Sequence, residues 1–218
     1  MKFPNAKKGI SKIFTAEILN LIAVVAGVIT IILVFALAGA SDSKNDVGVA
    51  ASGISLVLTS IVTGVSAVIA VILMIVGTIQ SARDEVSFKA IIYLTIFNVI
   101  VLVIASIFSQ NTFLGSLSSV ISNAVSFVCS LLVILGIGNL AAQCHDEKVI
   151  LKCGSQFRII LWIGIVALLT RFFAIFIESM AAKALVIVLL ALSLILSVVQ
   201  YFMYLALLSS AKKMLAEN

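Results

Sequence analysis

Ile18-Leu-Asn-Leu-Ile-Ala-Val-Val-Ala-Gly-Val-Ile-Thr-Ile-Ile-Leu-Val-Phe-Ala-Leu-Ala-Gly-Ala40 runs for 23 residues without a charge. A surface helix of a soluble domain keeps one polar face, whereas this run is apolar on every face. Its length exceeds the roughly 20 residues a helix needs to cross a hydrocarbon core. A cleavable signal is the rival reading, because Lys7, Lys8 and Lys12 precede the run and Ala38-Gly-Ala-Ser41 has the small residues of a cleavage site. Signal cores are only about 7–15 residues long, so a retained membrane helix is expected.

The rest of the chain agrees. It is 63% hydrophobic and 11% charged, with a mean hydropathy of +1.32. Soluble domains carry about 45–50% apolar and about 25% charged residues. Five more apolar spans follow, Val49–Ile79, Ala90–Phe108, Phe113–Ala142, Phe157–Ile177 and Ala184–Leu208. Transmembrane strands are shorter and alternate polar with apolar residues, which none of these does. Pro4 is the one proline, so no span has a proline kink. The expected fold class is all-α: a polytopic integral membrane protein with six transmembrane helices.

Charge sets the expected topology. Lys2, Lys7, Lys8, Lys12, Arg83, Lys89, Lys148, Lys152, Arg158, Lys212 and Lys213 fall in four polar segments on one side of the spans. The short turns on the other side hold only Lys44 and Lys183. Basic residues stay cytoplasmic, so both ends of the chain are expected inside, in the plasma membrane. The net charge of +5 is then a topology signal, with contact to anionic lipid as a by-product. It does not call for nucleic acid. The bilayer, and protein partners at the basic cytoplasmic face, are the expected partners.

A repeat underlies the spans. Ser55, Thr59 and Thr63 recur every fourth residue in the second, and Ser118, Ser122, Ser126 and Ser130 do so in the fourth. Ser193 and Ser197 continue the spacing in the sixth. Phe14-Thr-Ala-Glu17, Phe88-Lys-Ala-Ile91 and Phe157-Arg-Ile-Ile160 open the odd spans alike. Three tandem antiparallel hairpins, at about residues 13–80, 88–143 and 157–211, account for this pattern. Residues four apart share a helical face, and small hydroxyl residues let helices approach closely and bond across or backward. Strict four-residue rows favour oblique crossings. The stripes either pack helices or converge on a mildly polar interior. The second and fourth spans exceed the core thickness, so they tilt or project, with glycine and serine densest toward the outer turns.

Intramembrane polar residues are the candidate ligand-binding groups. Arg171 stands about 9 Å short of the end of the fifth span, close enough for its head to reach the interface. Glu178 follows on nearly the same face and can meet it. Asn98 lies near mid-depth, where nothing can snorkel, so it must face a helix or water. Ser122 and Ser126 complete the candidate set. Asn20, Asn123, Asn139, Gln80 and Gln200 read as interface or packing residues. Glu17 behind Thr15 suits a helix N-terminus.

Enzymatic chemistry lacks its residues. There is no Gly-x-Ser-x-Gly elbow, no His-Glu-x-x-His helix and no phosphate-cradling glycine loop. No aspartate or glutamate lies within a span, which removes intramembrane aspartyl proteolysis and a carboxylate proton relay. Cys144-His-Asp146 with Cys153 is a poor match to paired zinc ligands, and three scattered cysteines do not make a disulfide framework. No metal, cofactor or catalytic activity is expected. Two functions remain: a small-solute or lipid-binding and transport protein, or a structural and assembly partner in a membrane complex.

Overall fold

A computed structural model describes residues 2–37, 53–107, 117–166 and 195–217 fully, and the helical backbone alone for 38–42, 46–52, 112–116, 167–176 and 180–194. The described residues form six helices: α1 Pro4–Asp42, α2 Asp46–Ser81, α3 Ser87–Ile107, α4 Thr112–Cys144, α5 Glu147–Phe176 and α6 Met180–Glu217. No strand occurs among them. Each helix is long and apolar enough to cross a membrane, and at most 28% of any apolar window is buried inside the protein. The remaining apolar surface requires lipid. This is a multi-pass membrane protein.

The charged flanks are largely helical, apart from the turn at residues 82–86. Pro4 opens α1, taking the first helical position, where its missing N–H costs nothing. Phe3 supplies the first carbonyl, which accepts the Lys7 N–H at 3.1 Å. Glu17 is consequently interior to α1 and 93% buried, not a helix-starting residue. Likewise α5 begins ten residues before its apolar span, and α6 carries Lys212 and Lys213 within its last turns. Helices α1, α5 and α6 therefore project beyond their spans at the basic end. The projection expected at the outer, glycine-rich turns of α2 and α4 lies outside the fully described residues.

The chain divides into two compact units. One comprises Met1–Ile10 with Thr78–Asn218, the other Ser11–Gly77. In the first, α3 packs on α4, α4 on α5, α5 on α6, and α4 also touches α6. Its fully buried side chains gather at the basic end: Ile10, Phe88, Ile134, Ile137, Leu140, Leu207 and Leu208. Outside the hydrocarbon, each such burial contributes roughly 1.5–3 kcal/mol against water. Between helices in lipid that driving force vanishes and shape complementarity takes over. Two glycines show how. A Cβ at Gly136 would stand 2.6 Å from the Phe88 ring, and one at Gly164 would meet Phe127. Each glycine on one helix receives a phenyl ring from the next.

In the second unit, the covered face of α1 follows Ala16, Leu19, Ala23, Ala26, Thr30, Leu33 and Leu37. That of α2 follows Ser55, Thr59, Thr63, Ser66, Ala70, Leu73 and Gly77. Beyond Thr63 the row alternates steps of three and four, the spacing of helices with nearly aligned axes. The strict four-residue row ends at Thr63.

Candidate functional site

The seam between α3 and α4 gathers the intramembrane polar groups. Its register is antiparallel and set by named contacts. Glu85 Oε1 accepts the Asn139 Nδ2–H at 3.0 Å, Phe88 lies on Gly136, and Thr95 lies beside Cys129. Phe88, Ile91, Thr95 and Asn98 form one row of α3, spaced three, four and three. Asn139, Gly136, Cys129 and Ser122 form the facing row of α4. By this register Asn98 is level with Ser126, and Ser122 stands about 6 Å farther along the axis.

The oxygens here are unusual. Asn98 Oδ1 and Ser122 Oγ are both buried, and neither has a hydrogen-bond partner. A buried polar atom without a partner costs about 1–3 kcal/mol. In a bilayer no bulk water can relieve it. Neighbouring hydroxyls are spent differently. Thr95 Oγ1 donates to the Ile91 carbonyl at 2.8 Å, and Ser130 Oγ to that of Ser126 at 3.0 Å. Ser126 itself is exposed.

The remaining predicted residues distribute as follows. On α2, Thr59 and Thr63 bond back to the carbonyls of Ser55 and Thr59 at 3.0 and 2.8 Å. Their hydrogen bonds serve their own helix, which leaves them as small packing residues. Ser118 is half-buried and Ser197 exposed, and each has an interaction partner. The side chains of Arg171 and Ser193, and Glu178 entirely, lie outside the described residues. Of the five proposed ligand-binding residues, Asn98 and Ser122 therefore fall on the facing rows of α3 and α4, whereas Ser126 is exposed.

A second polar cluster closes the basic end, and its pairings have little local signature. Glu85, 91% buried, also accepts the Ser87 hydroxyl at 3.0 Å and the Ser87 N–H at 3.3 Å. Asp84 accepts the Ala6 N–H at 2.7 Å and the Asn5 Nδ2–H at 3.0 Å. Asp84 thus holds a carboxylate against the free N–H groups that open α1, where negative charge is favoured. Nearby, Lys2 Nζ donates to the Gln143 carbonyl at 2.8 Å. Apart from the local Glu85–Ser87 bonds, the partners are 54 to 141 positions apart in sequence, so no local pattern pairs them.

Cys144-His145-Asp146 is a helix junction. His145 has φ 58°, the left-handed conformation that ends a helix. The Asp146 N–H reaches the Ala141 carbonyl at 3.0 Å and the His145 N–H that of Ala142 at 3.2 Å, a Schellman closure of α4. Asp146 Oδ1 then caps α5 by accepting the Val149 N–H at 3.1 Å. One residue ends a helix and the next begins another. No grouping of three metal-binding side chains occurs among the described residues.

No family model, curated protein or solved structure matches the chain.

Proposed function

We propose that this protein binds a small polar solute or lipid headgroup at the α3–α4 seam, as a transporter or the membrane subunit of one. Both ends of the chain are on the cytoplasmic side of the plasma membrane, the side toward which the basic residues fall. The observation that carries the reading is the pair of buried, unpartnered oxygens, Asn98 Oδ1 and Ser122 Oγ, on facing helices. Packing alone favours their replacement by apolar atoms of similar shape. A molecule that brings hydrogen-bond donors to the seam recovers the energy their isolation costs. With no intramembrane carboxylate, the ligand is held through hydroxyl and amide groups, and its binding does not require a proton relay. The reading is non-enzymatic.

Native mass spectrometry of the gently solubilised protein tests it. The wild type should retain a bound small molecule that Asn98→Leu and Ser122→Ala lose, while both variants melt at or above the wild-type temperature. Retention of the molecule by both variants, or loss of fold in parallel with loss of binding, would refute the site.

A further inference from the structure

Phe88-Lys89-Ala-Ile-Ile-Tyr93 and Phe157-Arg158-Ile-Ile-Leu-Trp162 share one pattern, 69 residues apart. A covered phenylalanine is followed at once by a cation, and four residues after the cation by a polar-tipped aromatic. The structure separates their roles. Phe88 is fully buried and Phe157 half-buried. Lys89 and Arg158 are exposed, Tyr93 is 72% exposed and Trp162 is 67% exposed. Within each helix the cation and the aromatic share one outward face, being four apart.

The two pairs also share a depth. Gly138 lies against Cys153, and Gly164 against Phe127, which fixes the α4–α5 register. On that register Trp162 is level with Cys129, and Cys129 lies beside Thr95. Tyr93 is thus within about 3 Å of the Trp162 level along the axis. Helical side chains lean toward the N-terminus, which for α3 and α5 is the basic end. The phenol and indole therefore reach back toward the cations that precede them. From Lys89 to Ile107, α3 rises about 27 Å, close to the roughly 30 Å hydrocarbon thickness. Each pair sits where lipid phosphates and carbonyls lie, and presents a positive charge with a neutral N–H or O–H donor.

We propose that Lys89–Tyr93 on α3 and Arg158–Trp162 on α5 are two equivalent sites for the phosphate of an anionic phospholipid. The cation neutralises the phosphate and the aromatic tip donates to it or to the adjoining ester. The nearby acids do not compete: Glu85 and Asp84 are turned to internal donors, and Asp146 caps α5.

Trp162 is the only tryptophan, so its own fluorescence reports the second site. The protein is placed in vesicles of phosphatidylcholine containing a minor fraction of brominated phosphatidylglycerol or, separately, brominated phosphatidylcholine. Bromines near the carbonyl end of the acyl chains should quench Trp162 more than bromines near the chain ends. Brominated phosphatidylglycerol should quench as though enriched about five-fold over bulk, the preference expected of one basic residue at an anionic surface. Arg158→Gln should abolish that preference, and Arg158→Lys should restore it. The first site is read in Trp162→Phe, Tyr93→Trp, with Lys89→Gln as its test. Equal quenching by the two headgroups, a preference that survives Arg158→Gln and Lys89→Gln, or deeper quenching by chain-end bromines would overturn the proposal.

Discussion

Replacing Gly136 by alanine tests the contact that sets the α3–α4 register. The added Cβ would sit 2.6, 3.0 and 3.1 Å from Cε2, Cζ and Cδ2 of Phe88. Non-bonded carbons prefer about 3.5–4.0 Å, so the ring must retreat by about 1 Å. Phe88 is 0% exposed, so any retreat of the ring displaces the side chains packed around it. Overpacking of this kind costs about 1–3 kcal/mol. Alanine recovers about 1 kcal/mol of helix propensity, leaving a net loss of about 1 kcal/mol. Gly154→Ala is the control, since nothing lies within 4 Å of its Cβ position and only the propensity gain applies. The two variants should therefore move in opposite directions, separated by about 1–3 kcal/mol. Thermal unfolding can be followed with a thiol-reactive dye, because Cys153 is 6% exposed and becomes reactive when the bundle opens. In a Phe88→Leu background the Gly136→Ala penalty should disappear, a coupling that contact between the two residues requires. Equal shifts for Gly136→Ala and Gly154→Ala, or a penalty unchanged by Phe88→Leu, would show that the ring is not seated on the glycine.

Two further outcomes are expected. Asp84→Asn removes the carboxylate that receives the Ala6 N–H at 2.7 Å, and should weaken the start of α1 by about 0.5–2 kcal/mol. Hydrogen exchange of the amides of residues 5–9 would quicken; unchanged protection would show that Asp84 does not cap the helix. His145→Gly should raise the melting temperature, because glycine accepts φ 58° without the roughly 1–2 kcal/mol that a side chain costs there, whereas His145→Val should lower it. A lower melting temperature for His145→Gly would assign the imidazole a role beyond ending α4.

Several features were legible in sequence because their causes are local. Asn98 stands out because an amide in an apolar run must face another helix or water rather than lipid. The serine stripes were visible as spacing, but their use was not. Thr59 and Thr63 bond to their own helix, whereas Ser122, in the same pattern, leaves its hydroxyl buried and unpartnered. That difference depends on what lies opposite, which no single helix encodes. Glu17 resembles a helix start in sequence because it is an acidic residue near an apolar boundary, yet it lies inside α1. The true start, at Pro4, is held by Asp84 from across the bundle. Cys144-His145-Asp146 resembled a ligand cluster by residue type, and its backbone shows a cap joined to a cap.

The sequence by itself determined the membrane class, the helical class and the approximate limits of the spans. Solvation alone decides those: each apolar run has to leave water, and each backbone segment in lipid must satisfy its own hydrogen bonds. Only the tertiary structure decided which faces meet. Phe88 against Gly136, Glu85 with Asn139 and Asp84 on the opening turn of α1 join residues far apart in the chain. Lipid solvates every apolar face equally well, so hydropathy carries no information about pairing; steric fit and the demand of buried polar groups for partners supply it.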